Sequence, residues 1–404
     1  MSNGQNPIRA GLIQQCPMVR TPLELSRLSD IPQYTQHSDN NNRIICNLSD
    51  LSEPNSPSLK RQPFDMDNHS QATPPTTAVS VTEIVHYNEL VLEMNFFLNT
   101  IIIHIVCLFG VLGNTFTLVV LTQHGFKDAT NILLLSLAAS DLVFSVTTSM
   151  SYMYNIVKIF DMDFASSMYA VYVTHILPVH GLSSVASFIS VAVISVERFI
   201  AVWFPFHSTR IVTPKRMKIV VVSVYVYLTI LILPDIFCYQ FGWYFHPLQN
   251  RTFAQVYKTK FYEENEDVLE FYFWMFRNNF TSTLPLAIVI VCTTMIVAKL
   301  ISSSKKRKLM TSHHVTANKV KDKRVVKMLM VVSLTYIAIL LPTTIMDLYM
   351  AIADPARIVI NVLVFIQNLL YQINASVNFV IYVTTSSKFY QTYKNIFLHC
   401  SCCK

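Results

Sequence analysis

The chain has 404 residues, of which 52% are hydrophobic and 14% charged, and its formal net charge is +7. Soluble domains carry about 25% charged residues, so this composition excludes an ordinary soluble protein. Several apolar windows reach the roughly 18 residues needed to cross a membrane. Because a β-barrel would instead show alternating segments of about ten residues, the sequence predicts an all-α membrane protein.

Residues 1–95 are rich in Asn, Ser, Pro, Gln and Thr and show no sustained hydrophobic periodicity. They are predicted to form a disordered extracellular arm. The opening stretch lacks a charged region followed by an apolar run, so the first span is expected to act as the insertion signal. Asn47 and Asn68 in this arm are candidate glycosylation sites, as is Asn250 in a later loop.

Seven spans are predicted, and together they make residues 96–385 a seven-transmembrane helix bundle. Their expected ranges are 96–122, 130–155, 169–199, 217–241, 272–300, 325–351 and 358–384. Lys and Arg concentrate in the loops after spans three and five and after span seven, which places those segments in the cytoplasm. The chain is therefore expected in the plasma membrane, with its N-terminus outside and its C-terminus inside.

Residues 386–404 are predicted to form a short amphipathic cytoplasmic helix after span seven and a Cys-containing tail. Cys400, Cys402 and Cys403 are candidates for S-palmitoylation. The alternative is that these three thiols stay reduced and unmodified.

An ordered set of motifs follows the spans, each motif in its own span. They are Gly113-Asn114 in span one, Asp141 in span two, Glu197-Arg198-Phe199 at the end of span three, Pro285 in span five, Pro342 in span six and the run Asn378 to Tyr382 in span seven. The set resembles that of the rhodopsin-like (class A) G-protein-coupled receptors over residues 96 to about 398. The resemblance implies a signalling receptor whose partners are a heterotrimeric G protein, an extracellular ligand and the lipid bilayer, with no nucleic acid among them.

Asp141 is a carboxylate near the bilayer midplane, where it costs at least roughly 2.5–3.5 kcal/mol unless it is satisfied. The resemblance implies that Asn114, Ser187, Asn374 and Asn378 face it and form an oxygen-rich cage for an allosteric Na⁺. No other cofactor is expected. The alternatives are a hydrogen-bonded network without an ion, or a protonated Asp141.

Arg198 stays charged and must be paired or solvated. The resemblance implies that it lies at the cytoplasmic mouth and bridges to Asp322 at the start of span six, although Asp322 could equally be a solvated charge. Breaking this bridge would open a cleft for the G protein. The residues expected to serve switching and coupling are Glu197, Arg198, Phe199, Pro205, Phe206, Asp322, Asn378 and Tyr382. Pro285 and Pro342 are predicted to kink their helices, either as hinges or as static bends.

Several positions depart from the family pattern. Val173 stands where the family has a Cys, and residues 242–271 contain no Cys, so the usual outer disulfide is not expected. The residues directly before Pro342, Ile339 to Leu341, include no Trp. Phe379 replaces a Pro, and Thr293 replaces a Tyr. These departures suggest a divergent, invertebrate-type receptor, similar to orphan peptide and chemosensory receptors.

The ligand is constrained by what the spans contain. No Lys lies between Arg357 and Lys388, so an opsin is excluded, and His180 replaces the Asp of amine receptors. The residues expected to line the ligand cavity are His180, Ser184, Asp347, Asn368, Tyr371 and Gln372. Asp347 and the acidic loop residues 263–270 predict an electronegative entrance that would steer a cationic peptide, unless these acids are only solvated.

A neuropeptide receptor is therefore the leading functional prediction, and a chemosensory receptor for a small environmental molecule is its alternative. A transporter or channel and a non-signalling seven-span protein are weaker alternatives, and there is no inverted repeat of the kind transporters show. No H-E-x-x-H, G-x-S-x-G or P-loop motif occurs, so the chain is not expected to be an enzyme.

Overall fold

The computed structural model describes the backbone of residues 81–246, 250–309, 317–353 and 357–398. These residues contain seven helices long and apolar enough to cross a membrane. In order they are span one Asn99–His124, span two Ala129–Val157, span three Met162–Trp203, span four Pro214–Cys238, span five Asn279–Ser303, span six Val326–Met350 and span seven Val359–Thr385. The predicted all-α seven-span bundle is thus confirmed.

The helices themselves often extend beyond the apolar spans. Regular α-helices run over Val81–His124, Ala129–Val157, Met162–Val171, Leu177–Trp203, Pro205–Ile211, Pro214–Cys238, Lys260–Glu264, Glu266–Phe271, Leu284–Leu309, Ala317–Ala353, Arg357–Thr385 and Ser387–Tyr393. Three wider, π-helical segments cover Tyr172–Ile176, Tyr272–Thr283 and Lys394–Leu398.

Several predicted boundaries differ from those of the structure, including the starts of spans three and five. The arm was expected to reach residue 95, yet a helix begins at Val81; residues 1–80 lie outside the described residues. Span four was expected to continue to residue 241, but its helix ends at Cys238 because Tyr239 adopts extended backbone angles. The aromatic run that follows suits a strand better than a helix end.

The loop between spans four and five contains a β-hairpin that the sequence did not reveal. Strand β1, Tyr239–His246, pairs antiparallel with β2, Arg251–Lys258. Asn250 lies in the connecting turn at φ 49°, a left-handed conformation that Asn adopts more readily than most residues.

The β2 strand is fixed to the outer end of span three by apolar packing. Ala254 and Val256 are 3% and 6% exposed and belong to one buried cluster with Val173. The other buried members are Tyr154, Ala165, Tyr169, Ala170 and Tyr172. The Ala254 N–H also donates to Ser167 Oγ at 3.3 Å. The loop is therefore held at the position where the family usually has its disulfide.

A second brace joins the outer ends of spans four and five. Arg277 donates to both carboxylate oxygens of Asp235, at 2.8 and 2.7 Å. The Tyr272 hydroxyl donates to the Leu231 carbonyl at 2.7 Å. The Cys238 thiol points to the Pro234 carbonyl at 3.1 Å, and no disulfide occurs among the described residues.

Two of the three π-helical segments are followed directly by a helix with a proline near its start. Pro178 and Pro285 are each the second residue of a regular helix that follows a π-helical segment. A proline has no N–H to donate and its ring clashes with the preceding turn, so a widened turn accommodates it. Pro342 lies inside the helix Ala317–Ala353.

The largest buried cluster lies in the inner half of the bundle and joins all seven spans to the helix after span seven. Its most buried members include Leu133 and Leu137 of span two, Ile194 of span three, Val289 of span five, Leu329, Tyr336 and Leu340 of span six, Tyr382 of span seven, and Phe389.

Candidate functional site

Asp141 is the centre of a buried polar node between spans two, three and seven. It is fully buried; its Oδ1 accepts a hydrogen bond from Ser187 Oγ at 2.6 Å and its Oδ2 accepts one from Asn378 Nδ2 at 2.8 Å. A carboxylate buried in an apolar bundle is tolerated only with such donors. Two of the four residues expected around Asp141 therefore contact it directly.

Asn114 makes no hydrogen bond to Asp141 among the described residues. Its amide donates to the carbonyls of Gly110 and Ala375, both at 2.9 Å, so it ties span one to the backbone of span seven. Its Oδ1 is buried and has no hydrogen-bond partner among the described atoms. Asn374 is 5% exposed in the same part of span seven. The carboxylate, hydroxyl and amide oxygens here are the hard donors that an alkali ion accepts.

A second polar group lies on the next turn of span seven. Gln372 is fully buried, and its amide donates to Ser145 Oγ at 2.8 Å and to Ser376 Oγ at 3.2 Å. Gly110 makes this approach possible, because a Cβ there would lie 2.7 Å from Ser376 Oγ and 2.8 Å from Gln372 Nε2. Spans one, two and seven meet at this point.

Three of the residues expected to bind the ligand form hydrogen bonds with span two or with their own helix. His180 Nδ1 lies 3.0 Å from Thr147 Oγ1, and the Asn368 amide donates to the Tyr152 hydroxyl at 3.1 Å. The Ser184 hydroxyl donates to the Gly181 carbonyl of its own helix at 3.0 Å.

Asp347 and Tyr371, by contrast, contact residues of spans six and seven close to Pro342. Gln367 Nε2 donates to Asp347 Oδ1 at 2.8 Å and to the Thr343 carbonyl at 3.0 Å. The Tyr371 hydroxyl lies close to the side chain of Thr343. Spans six and seven are thus joined at the proline of span six.

Gln367 and Thr343 were not among the predicted site residues. Gln367 and Tyr371 are four residues apart, so they lie on one helix face. That spacing, and the need of Asp347 for a donor, are the signals by which the sequence could have revealed them.

At the end of span three that is predicted to be cytoplasmic, Arg198 is paired with its neighbour. Arg198 Nε lies 2.5 Å from Glu197 Oε2, and Arg198 Nη2 also contacts Thr130 Oγ1. The Thr130 hydroxyl lies 3.2 Å from Glu197 Oε1. Thr130, at the start of span two, was not predicted. The side chain of Asp322 lies outside the described residues, so its bridge to Arg198 stays a prediction.

Spans three and six are joined by a hydrogen bond one helical turn from Arg198, toward the middle of the bundle. The Ser195 and Ser333 hydroxyls are 3.1 Å apart and both are buried. Tyr382 is 1% exposed and its ring lies 5.7 Å from that of Phe389. The hydroxyls of Tyr336 and Tyr382 have no partner among the described atoms, which leaves polar groups available for a rearranged bundle.

The loop between spans three and four presents Phe206 outward. Pro205 begins the short helix Pro205–Ile211, and Phe206 is 90% exposed. Phe199, by contrast, packs near Trp203, with ring centroids 6.0 Å apart. The Trp203 indole donates to the Met295 carbonyl of span five at 3.2 Å.

The candidate modification sites are described only in part. Asn250 is exposed in the hairpin turn. Asn47 and Asn68 lie outside the described residues, as do Cys400, Cys402 and Cys403.

The family 7 transmembrane receptor (rhodopsin family) matches residues 113–382. The chain therefore belongs to the rhodopsin family of seven-transmembrane receptors. It is a multi-pass membrane receptor and not an enzyme.

Curated relatives are somatostatin receptors. The chain is 29% identical to somatostatin receptor type 2 of Mus musculus over 136 residues, which is 33% of this chain and 35% of the relative. It is 29% identical to the type 5 receptor of Rattus norvegicus over 131 residues, 32% of this chain and 35% of the relative. It is 30% identical to the type 4 receptor of the same species over 131 residues, 32% and 33% of the two chains. Each match thus spans about a third of the relative's length.

Proposed function

We propose that this protein is a plasma-membrane receptor, with its N-terminus outside, that binds an extracellular peptide and activates a heterotrimeric G protein. The observation that carries the proposal is the buried pair Glu197–Arg198 at the inner end of span three, next to a loop that exposes Phe206. A paired charge at this depth is costly, which supports a functional rather than a filling role.

The mechanism requires only two conformations that differ in ligand affinity. In the resting state, Ser195 and Ser333 keep the inner halves of spans three and six together. The agonist favours a state in which span six moves away from span three. Arg198 then loses its confined position and contacts the G protein, and Phe206 enters an apolar recess of that partner.

Na⁺ bound at Asp141 would favour the resting state. Ser187 and Asn378 already hold the carboxylate between three spans, and the Asn114 oxygen is available to the same region. An ion there would strengthen the contact of span seven with span two.

The ligand is proposed to be a cationic peptide. The relatives are named as receptors for somatostatin. Glu263, Glu264 and Asp267 are exposed on the outer loop, where they would raise the local concentration of a positively charged ligand. Glycosylation at Asn47, Asn68 and Asn250, and palmitoylation at Cys400, Cys402 and Cys403, are proposed as its modifications.

The test is G-protein activation in cells that express the full chain, measured against a panel of amidated basic peptides and a panel of small odorants. A peptide response that is lost in Arg198→Ala is the expected result. Silence to every peptide together with a response to a small molecule would overturn the peptide assignment and favour the chemosensory alternative.

A further inference from the structure

The acidic residues of the spans differ in how they are compensated. The structure describes five of them: Asp141, Asp163, Glu197, Asp235 and Asp347. Three have an arginine partner, since Asp163 pairs with Arg251, Glu197 with Arg198 and Asp235 with Arg277. The remaining two, Asp141 and Asp347, are held by neutral donors.

Asp141 lies fully buried in the bundle, whereas Asp347 is half-buried in the outer part of span six. Among the described side chains, no Lys, Arg or His forms an ion pair with Asp347. Its recorded partner is the Gln367 amide at 2.8 Å. A carboxylate at this depth gains more from a charged donor than from a neutral amide, because the donor's charge adds a Coulomb attraction that is stronger at low dielectric.

Gln367 does more than satisfy Asp347. The same Nε2 donates to the Thr343 carbonyl, one residue after Pro342, and the Tyr371 hydroxyl lies close to Thr343 from the next turn of span seven. Tyr371 also packs against Phe188 of span three, with ring centroids 5.4 Å apart, and Phe188 packs against Tyr336 of span six at 6.1 Å. The outer carboxylate is thus linked through span seven to the aromatic core beneath Pro342.

We infer that the Asp347–Gln367 pair is the docking point for one positively charged group of the ligand, a guanidinium or an ammonium, and that docking there releases span six from span seven at Pro342. The inference rests on the proposed receptor function and specifies its first step. The charged group replaces the Gln367 amide as the partner of Asp347. Gln367 then turns away, the Thr343 carbonyl loses its side-chain donor from span seven, and span six bends about Pro342.

The test uses a matched pair of probes, Nα-acetyl-arginine amide and Nα-acetyl-citrulline amide, which have nearly the same size and differ in the charged guanidinium. The reporter is a fluorophore on Lys327→Cys, an exposed position at the inner end of span six. Cys16, Cys46, Cys400, Cys402 and Cys403 are replaced by Ser in this background. The purified full-length receptor is measured without a G protein.

Arginine amide is expected to change the emission, and citrulline amide to leave it unchanged at the same concentration. Asp347→Asn keeps an acceptor for Gln367 but removes the charge, so it is expected to weaken the response to arginine amide by about tenfold or more. Equal responses to both probes, no response to either, or an unchanged response in Asp347→Asn would overturn the inference.

The release step has its own variants. Gln367→Met removes both amide bonds at nearly constant volume, and is expected to give the shifted emission without any probe. Gln367→Glu places a second carboxylate against Asp347 and is expected to do the same by repulsion. The matched control is Thr344→Val, which loses a bond to the Leu340 carbonyl within span six and leaves the contacts with span seven intact. Resting emission in both Gln367 variants would contradict the release step.

These results separate the inference from the proposed function. If the reporter follows the arginine probe but no G protein exchanges nucleotide, the inference stands and the signalling function fails. If the receptor activates a G protein through another ligand while the reporter ignores both probes, the function stands and the inference fails.

Discussion

Two glycines of the spans have opposite surroundings, and they show how single residues set helix packing. A Cβ on Gly110 would meet the polar groups of Ser145, Ser376 and Gln372, whereas a Cβ on Gly181 would meet nothing within 4 Å. Gly110 therefore permits close contact of spans one, two and seven, and Gly181 does not serve packing in this way.

Gly110→Ala is expected to destabilise the receptor by about 1–3 kcal/mol, because overpacking forces neighbouring groups to shift. Thermal unfolding of the detergent-solubilised protein measures this effect. Gly181→Ala is the matched control; it should be neutral or stabilise the helix by about 0.5–1 kcal/mol. Equal melting temperatures for the two variants would contradict the packing described at Gly110.

Asp141→Asn is expected to abolish the effect of sodium on the receptor. In the native protein, ligand-independent nucleotide exchange should be lower in sodium chloride than in choline chloride of equal ionic strength, because Na⁺ favours the resting bundle. In the variant the two salts should give the same rate. A native receptor that is indifferent to the choice of salt would rule out the proposed ion.

The residues that were predictable are those fixed by motifs. Asp141, Ser187 and Asn378 could be placed because each belongs to a recurring pattern in its own span. Thr130 and Gln367 could not, since a hydroxyl or an amide in a span has many potential partners. Their roles follow only from distances across helices that are far apart in sequence.

At the scale of elements, the outer hairpin is held without the usual disulfide. Val173 occupies the position of the missing Cys and is buried with Ala254 and Val256 of β2. Apolar packing and the Asp235–Arg277 brace therefore replace a covalent link.

Reducing agent is expected to leave the agonist response of the receptor unchanged, because no disulfide occurs among the described residues of the outer loop. Agonist potency before and after treatment with dithiothreitol measures this. A rhodopsin-family receptor with the usual outer disulfide is the control, and it should lose potency. A large loss in the present receptor would show that a covalent link holds the outer surface.

Val256→Asp is expected to release the hairpin, since it buries an unpaired charge in an apolar cluster. Faster tryptic cleavage after Arg251 or Lys258 reports the release. Thr252→Asp, at an exposed position four residues away on the same strand, is the control and should cleave at the native rate. Unchanged cleavage in Val256→Asp would mean that the cluster does not hold β2.

Phe206→Ala is expected to reduce G-protein nucleotide exchange several-fold while leaving thermal stability unchanged. The side chain is 90% exposed, so it contributes little to packing within the receptor. Exchange and melting temperature should be measured on the same preparation. A drop in melting temperature with normal exchange would assign Phe206 to the fold instead.

The elements themselves were only partly predictable. Long apolar runs identified all seven spans, because few structures other than a membrane helix tolerate them. The hairpin was missed since β1 continues directly from the apolar helix that ends at Cys238. By composition alone, its aromatic residues cannot be distinguished from a continuation of span four.

Across the whole molecule, polar contacts occur at successive depths of an apolar bundle. Asp347 pairs with Gln367, Gln372 with Ser145, and Asp141 with Asn378. Nearer to Arg198, Ser195 and Ser333 join spans three and six. The sequence indicated Asp141, Asp347 and Gln372, whereas the role of Gln367 had to be found in the structure.

The central claim is that the ligand-bound receptor activates a G protein through Arg198. Its most direct test is nucleotide exchange by a purified heterotrimeric G protein with the reconstituted receptor, comparing the native chain with Arg198→Ala. Arg198 contacts Glu197 and Thr130. Thr130→Val therefore serves as a control that removes one of these contacts but keeps the charge of Arg198. The account predicts exchange with the native chain and with Thr130→Val, and none above background with Arg198→Ala. Equal exchange by the native chain and Arg198→Ala would contradict it.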